Sequence, residues 1–395
     1  MPHVTASTWE EIMVLRSRLA EQTSVRSCEL EHSEWHVDSG VLRNKRSDFF
    51  QIVGFADDSG NEQLLIRQRE TALVGLLVHG GPGNRSFLLN ARCEPGLHGF
   101  CQLSTTIQST PSNYERRHGG EPTPFIEWFT QEVAGTQVLH DSIEYDWGRY
   151  YDAKRKRFAI IEVPERVSVV SPLLWVGERE LLRTLAHPFL MTTDLRVAIA
   201  LMLAHDRDTE PGLPLGHDEP TAATASLREI PLEAMTNWRI EPRGIVEVAE
   251  SRGIGVEYVT TTSASREVTQ WSQPLVRIQR PDTVTLGVRG VAADREFAVE
   301  RRTEIGLHGV ALYFPAALAD TVSSVVCRVR TSAEGGRFLH HEVVLQVADA
   351  TGLSLTQAEH ITWLGVRALS ALLLVPEATS VELRTVATLA LREVA

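Results

Sequence analysis

The 395-residue chain is poor in cysteine, with only Cys28, Cys93, Cys101 and Cys327, and no two of these form a Cys-x-x-Cys pair. So sparse a set in so long a chain implies reduced thiols and argues against structural zinc. No apolar run approaches the ~20 residues that a bilayer span needs, and the amino terminus lacks a basic-then-apolar signal pattern. The expected location is therefore the cytoplasm, with no membrane partner. Positive charge is also short: 39 Lys and Arg stand against 51 Asp and Glu, a net charge of −12. Nucleic-acid binding needs a basic surface that displaces counterions from phosphates, so no nucleic-acid partner is expected.

An anionic ligand must instead find local positive charge. Two clusters offer it: Arg92 with Arg116-Arg117, and Arg149 with Lys154-Arg155-Lys156-Arg157. The Lys-Arg-Lys-Arg run reads as a solvated hairpin tip between strands at 148–152 and 158–163, which leaves Arg149 as the better anion ligand. Known cofactor motifs are missing as well. There is no P-loop, no strand-GxGxxG-helix fingerprint and no H-E-x-x-H helix, and no cofactor or metal is signalled. His79-Gly80-Gly81-Pro82-Gly83 has the look of an oxyanion-hole turn. The G-x-S-x-G elbow that must accompany such a turn is absent, so the segment reads as a hairpin loop.

What the chain does have is polar density in one place. Residues 91–120 hold Arg92, Glu94, Gln102, Gln108, Thr110, Asn113, Tyr114, Arg116 and His118, with few side chains suited to a core. Part of this stretch recurs downstream, where Arg302-Thr-Glu-Ile-Gly-Leu-His-Gly309 answers Arg92-Cys-Glu-Pro-Gly-Leu-His-Gly99. Further echoes hold a second register: Gly148-Arg149-Tyr150 with Gly336-Arg337-Phe338, Trp175 with Trp363, Pro188 with Pro376, and Leu195-Arg196 with Leu383-Arg384. A tandem duplication explains both registers, and the later copy has lost the block around 108–125.

The first copy opens with an amphipathic helix near 8–22, started by the capping box Thr8-x-x-Glu11. Strand-like runs follow at 49–55, 63–69, 72–79, 86–91, 99–103, 136–145, 149–152 and 158–163, and helices at about 177–186 and 193–203 close the copy. Strands first and helices last indicate an α+β fold with mostly antiparallel or mixed sheets. The Pro-, Gly- and acid-rich segment after 205 reads as an exposed linker. The expected layout is an N-terminal module at 1–207 carrying the site, a linker at 208–229 and a degenerate C-terminal module at 230–395. Trp238 restarts in the second module the pattern that Trp35 begins in the first.

The segment from Phe87 to Gly120, with its E-P-G, Q-L-S-x-T-x-Q-x-T-x-S-N-Y and R-x-H-G-G elements, resembles the NDP-hexose 2,3-dehydratase family of deoxysugar biosynthesis. The likeness continues through 148–150, Glu162 and Trp175. It implies two tandem Nudix-like modules and a homodimer, although the acidic box of true Nudix hydrolases is absent here. The implied substrate is an NDP-4-keto-6-deoxyhexose, most often the dTDP sugar. A base removes the proton on carbon 3, donors hold the enolate, and the carbon 2 hydroxyl leaves with help from an acid. A partner ketoreductase then reduces the unstable 3,4-diketo product. For these roles the stretch offers His118 or Glu94 as base, Tyr114 as acid, and Asn113, Gln108 or Arg92 as donors. Gln102, Thr110, Arg116 and Arg149 join them as substrate contacts, and Trp147, Tyr145 or Tyr150 would stack on the nucleoside.

Each role has a plainer counterpart. Arg92 and Glu94 recur as Arg302 and Glu304, which suits a structural ion pair equally well, and His98 and His308 suit turn stabilisation. The second copy departs from the family in reading Glu304-Ile-Gly306 and then Val310-Ala-Leu-Tyr-Phe-Pro315. Another lyase or isomerase on the same 4-keto sugar, or a non-catalytic sugar-nucleotide binder, is the alternative function.

Overall fold

The computed structural model describes residues 7–46, 49–117, 121–207, 227–249, 253–266, 268–291, 294–318, 324–352 and 360–392. The opening helix, Trp9–Glu21, begins as its sequence dictates. The Thr8 side chain accepts from the Glu11 backbone N–H, and the Glu11 carboxylate accepts from the Thr8 N–H at 2.7 Å. Ile12 and Leu19, one face of this helix, are buried.

Strand Ala72–His79 is buried along seven of its eight residues, the pattern of a strand covered on both faces. It is the centre of a seven-stranded sheet running Gln137–Tyr145, Arg155–Glu162, Ala72–His79, Ser86–Cys93, Leu173–Gly177. Cys101–Ser104 pairs with Ser86–Cys93, and Ile107–Ser109 with Ala72–His79. The pair 155–162 and 72–79 is parallel, and the other pairs are antiparallel. The second half repeats this order and these senses with Ser324–Ser332, Glu342–Asp349, Asp282–Arg289 and Glu296–Arg302, the last flanked by Leu312–Pro315 and Ile361–Gly365. Trp175 lies opposite Leu88, and Trp363 opposite Ala298. Two residues beyond each tryptophan, Gly177 and Gly365 cap helices Glu178–Thr184 and Val366–Leu373. The chain is thus an α+β protein built on an internal duplication.

Each half also has a smaller sheet, and here the halves exchange strands. Thr23–Ser27, from the first half, pairs with Ile254–Ser263 of the second. Arg228–Ile230 pairs with Gln51–Ala56 of the first. That strand occupies the end of the segment expected to be a linker, and residues 208–226 lie outside the described residues.

Backbone contacts correct one register by a residue. The Gly96 N–H donates to the Gly335 carbonyl at 2.8 Å, and the Gly306 N–H to the Gly148 carbonyl at 2.7 Å. Since Gly96 and Gly306 are counterparts, Gly148 corresponds to Gly335 and not to Gly336. The expected strand at 149–152 is a turn that makes only a bridge, Ile66 to Tyr151. The long helices Thr193–His205 and Val381–Arg392 pack on each other and are buried on nearly every side.

Between strands 101–104 and 137–145 the first half carries strand Ile107–Ser109 and the short helices Pro111–Tyr114 and Glu127–Thr130. Among the described residues the second half has no counterpart to these elements between Leu312–Pro315 and Ser324–Ser332.

Candidate active site

The polar stretch spans two neighbouring environments. One is an internal charge network. Arg92 donates from Nε to Glu94 Oε1 at 2.6 Å and from Nη1 to the Gln108 carbonyl at 3.2 Å. The Gln108 amide in turn donates to Asp194 Oδ2 at 2.5 Å. Lys156 Nζ lies 2.8 Å from Asp194, 3.0 Å from Asp146 and 3.1 Å from Glu334, and Lys154 Nζ lies 2.6 Å from Glu334 and 3.1 Å from Asp146. Tyr151 adds a hydroxyl donated to Glu334.

Burial alone would push the Lys156 ammonium down, but Asp146, Asp194 and Glu334 outweigh it and hold the group well above its ordinary value. The same balance holds Glu334 well below its ordinary range, because Lys154, Lys156 and Arg337 outweigh its burial. The basic run is therefore no solvated hairpin tip. It alternates, with Lys154 and Lys156 2% and 4% exposed and Arg155 and Arg157 turned outward onto Glu377 and Asp141.

The second environment is a cleft of about 400 Å³ beside this network. Thr110, Ser112 and Asn113, at the start of helix 111–114, form one wall. Arg43, Arg67, Arg69, Arg117 and Arg337 also line it, with Phe49, Phe50, Gln68 and Glu70. Arg67 is neutralised by Asp152 and Glu229, and Arg43 by Asp38. Arg117 meets Glu115 at 2.5 Å and Glu70 at 3.6 Å. Arg69 has no ion pair among the described residues. Arg337, contributed by the second half, donates only to neutral oxygens, Gln68 Oε1 at 3.0 Å and the Gly336 carbonyl at 2.7 Å, with its guanidinium 4.0 Å from the centre of the Phe50 ring. An acidic chain thus concentrates positive charge beside an aromatic surface, which suits an anion carrying a flat ring.

The profile of the NDP-hexose 2,3-dehydratase family matches residues 12–202 and 217–312. The chain belongs to this family. Its chemistry is accordingly that of a carbon–oxygen lyase acting on a sugar nucleotide. A dTDP-4-dehydro-6-deoxy-α-D-glucopyranose 2,3-dehydratase of Streptomyces violaceoruber is 28% identical, the match covering 89% of each chain. Enzymes of the same name from Saccharopolyspora spinosa and Amycolatopsis orientalis are each 26% identical, over 69% and 62% of this chain and 63% and 53% of their own. A solved Nudix hydrolase from M. smegmatis matches 32% of this chain and 81% of its own at 17% identity, with a TM-score of 0.20.

Within this 2,3-dehydratase the expected site residues divide. Thr110 and Asn113 line the cleft. Arg92, Glu94 and Gln108 belong to the network beside it. Gln102 is fully buried and donates to Ser332 Oγ of the second half at 2.8 Å. Arg149 is likewise tied to the second half, to Asp282 at 3.0 Å and Glu304 at 3.5 Å. Arg116 is exposed, with a backbone φ of 60°, and does not line the cleft, whereas its neighbour Arg117 does. The Tyr114 ring packs against the apolar layer that contains Leu73, Ile107 and Phe129. Burial, with Glu115 and Glu70 nearby, raises its phenol. His118 lies outside the described residues.

Trp147, Tyr145 and Tyr150 are 2%, 6% and 7% exposed and sit in core clusters, so they are not stacking surfaces for a nucleoside. Of the two phenylalanines beside the cleft, Phe49 is 40% exposed, whereas Phe50 is a core residue whose ring Arg337 covers. With Arg69 they stand outside the 91–120 stretch, where nothing local marks them, and Arg337 is visible in the sequence only as part of the echo of 148–150.

Proposed function

We propose that this enzyme dehydrates dTDP-4-keto-6-deoxy-D-glucose to a 2,6-dideoxy-3,4-diketo sugar nucleotide, with the substrate lying in the arginine-lined cleft. One observation carries the placement: Arg69 and Arg337, the two cleft arginines that make no close ion pair among the described residues, face a cavity of about 400 Å³ rimmed by Thr110, Ser112 and Asn113. That volume lies within the range of small-ligand sites. The arginines take the diphosphate, the exposed Phe49 offers the base an apolar surface, and the polar wall faces the hexose. The carbon 4 ketone acidifies carbon 3, so deprotonation precedes loss of the carbon 2 hydroxyl. In this reading Arg92, Glu94 and Gln108 hold the floor of the site in shape rather than exchange protons with the sugar.

The diketone is unstable, so a ketoreductase is the proposed downstream partner. A homodimer is the proposed assembly. Its support is apolar exposure on the edge strands 137–145 and 324–332, at Val138, Ile143, Val325 and Val326.

Incubation with the dTDP sugar in D₂O tests the activity by NMR and mass spectrometry. Loss of one water from the sugar supports the dehydratase. Deuterium at carbon 3 with the carbon 2 hydroxyl retained would instead show an isomerase, and an unchanged sugar would show a binding protein.

A further inference from the structure

The reaction needs a base for the carbon 3 proton, and this inference rests on the dehydratase reading. The cleft arginines stay protonated, and Thr, Ser, Asn and Gln side chains do not titrate near neutrality. Among the described residues lining the cleft, Glu70 is the one side chain able to accept a proton. It follows strand Glu62–Arg67 and precedes Ala72–His79, so two sheet strands fix its backbone.

Its carboxylate is oriented as well. Oε1 accepts from the Ser112 N–H at 3.0 Å and Oε2 from the Ser112 hydroxyl at 2.6 Å, while Arg117 stands 3.6 Å away. A carboxylate has about four acceptor sites, so these contacts leave lone pairs for the cleft. Glu94, the carboxylate that the motif suggests, does not line the cleft and is held at 2.6 Å by Arg92.

We propose that Glu70 is the base that removes the carbon 3 proton. The C3–H bond breaks, the proton passes to a Glu70 oxygen, and the electron pair forms C3=C4 while the carbon 4 oxygen takes the negative charge. When that charge returns to the ketone, C2=C3 forms and the C2–O bond breaks. The hydroxide leaves with the proton held by Glu70, as water, and the remaining enol tautomerises to the diketone. Ser112 and Arg117 position the carboxylate without entering the chemistry.

The test compares wild-type enzyme with Glu70→Gln, which keeps the size of the side chain and an acceptor for Ser112. The readouts are turnover of dTDP-4-keto-6-deoxyglucose, deuterium uptake at carbon 3 and the Kd for dTDP. Turnover and exchange are expected to fall roughly 10²-fold or more with the Kd within a few-fold of wild type. Glu70→Ala is expected to recover part of its turnover in added formate, which a merely structural carboxylate would not show. Ser112→Ala, which removes one tie to the carboxylate, is expected to cost far less than Glu70→Gln.

Near-normal turnover in Glu70→Gln overturns the assignment, and so does a Ser112→Ala loss as large as that of Glu70→Gln with no formate rescue. Should the Gln variant fail to fold, Glu70→Asp takes its place: a folded protein with kcat lowered and KM kept supports the base, and unchanged kcat overturns it. A wild-type enzyme that removes no water from the sugar overturns the dehydratase reading itself, and the assignment with it.

Discussion

At the scale of single residues, chemistry and position came apart in an instructive way. The stretch 91–120 was legible as a site because polar side chains crowd where a core should be. Yet among its described residues only Thr110, Ser112, Asn113 and Arg117 line the cleft. Arg92 and Gln108 satisfy each other and the carboxylates of Glu94 and Asp194 instead, which no spacing rule reveals for Asp194, since it comes from a distant helix. The buried lysines were misread for a related reason. Four consecutive basic residues suggest solvent, and only the two-residue period of a strand separates Lys154 and Lys156 from Arg155 and Arg157.

Arg337 gives the residue scale its prediction. It reaches the cleft from the second half and, although Glu334 stands near enough to feel its charge, donates only to neutral oxygens, so its N–H groups are available to a diphosphate. Hydrogen bonds to charged groups contribute about 1.5–3 kcal/mol, so Arg337→Ala should weaken dTDP binding by roughly 10- to 100-fold. Titration calorimetry at two salt concentrations measures this. An unchanged Kd would remove Arg337 from the site.

At the scale of elements, the strands were read well where apolar runs are continuous, as at 72–79, and the capping box placed the first helix within a residue at each end. The strand expected at 149–152, where Tyr150 and Tyr151 suit extended backbone, is a turn ending in a single bridge. Its conformation is set by its contact with Gly306, a residue more than 150 positions away.

The two long helices show what duplication preserves and what it releases. Asp194 and Glu382 each stand second in their helix. Asp194 faces Lys156, but the strand position of Lys156, opposite Ala72, is Val343, opposite Asp282, in the second half. Without a lysine, burial and then the nearby Glu304 push the Glu382 carboxyl up from 4.5 to about 8.

The folded chain therefore keeps a proton there that the unfolded chain has released, and stability falls as pH rises through that window. His98 and His140 act oppositely. Burial, aided at His98 by His340 and His341, lowers both imidazoles from 6.5 to about 4, so stability also falls as pH drops through that lower window. Glu382→Gln should leave the melting temperature at pH 5 nearly unchanged and raise it at pH 8.5. Thermal melts at both values check this, and an equal shift at both would mean that folding does not raise this carboxyl.

At the scale of the whole molecule, the halves hold each other by reciprocal contacts that neither half contains alone. The turn after Glu94 docks on residues 335–340, with Gly96 accepting from the His340 N–H, and the turn after Glu304 docks on 148–153, with Gly306 accepting from the Ala153 N–H. His98 reaches Ser332 at 3.0 Å, and His308 reaches Asp152 at 2.5 Å. The exchanged strands 23–27 and 228–230 add a second bond between the halves.

Two glycines make the close approach possible. A Cβ on Gly96 would fall 1.6 Å from the Phe338 carbonyl oxygen, and one on Gly306 1.8 Å from that of Tyr151. Both neighbours are backbone and cannot rotate away. Gly96→Ala or Gly306→Ala should each destabilise the protein by at least ~3 kcal/mol, the upper end of ordinary overpacking, and lower turnover, because Arg337 and Glu334 reach the site only when the halves are docked. Cleaving the chain within 208–226, in contrast, should leave one particle by size exclusion and one cooperative unfolding transition. If the cleaved halves separate and each stays folded, the modules are independent and the second half serves the active site in some other way.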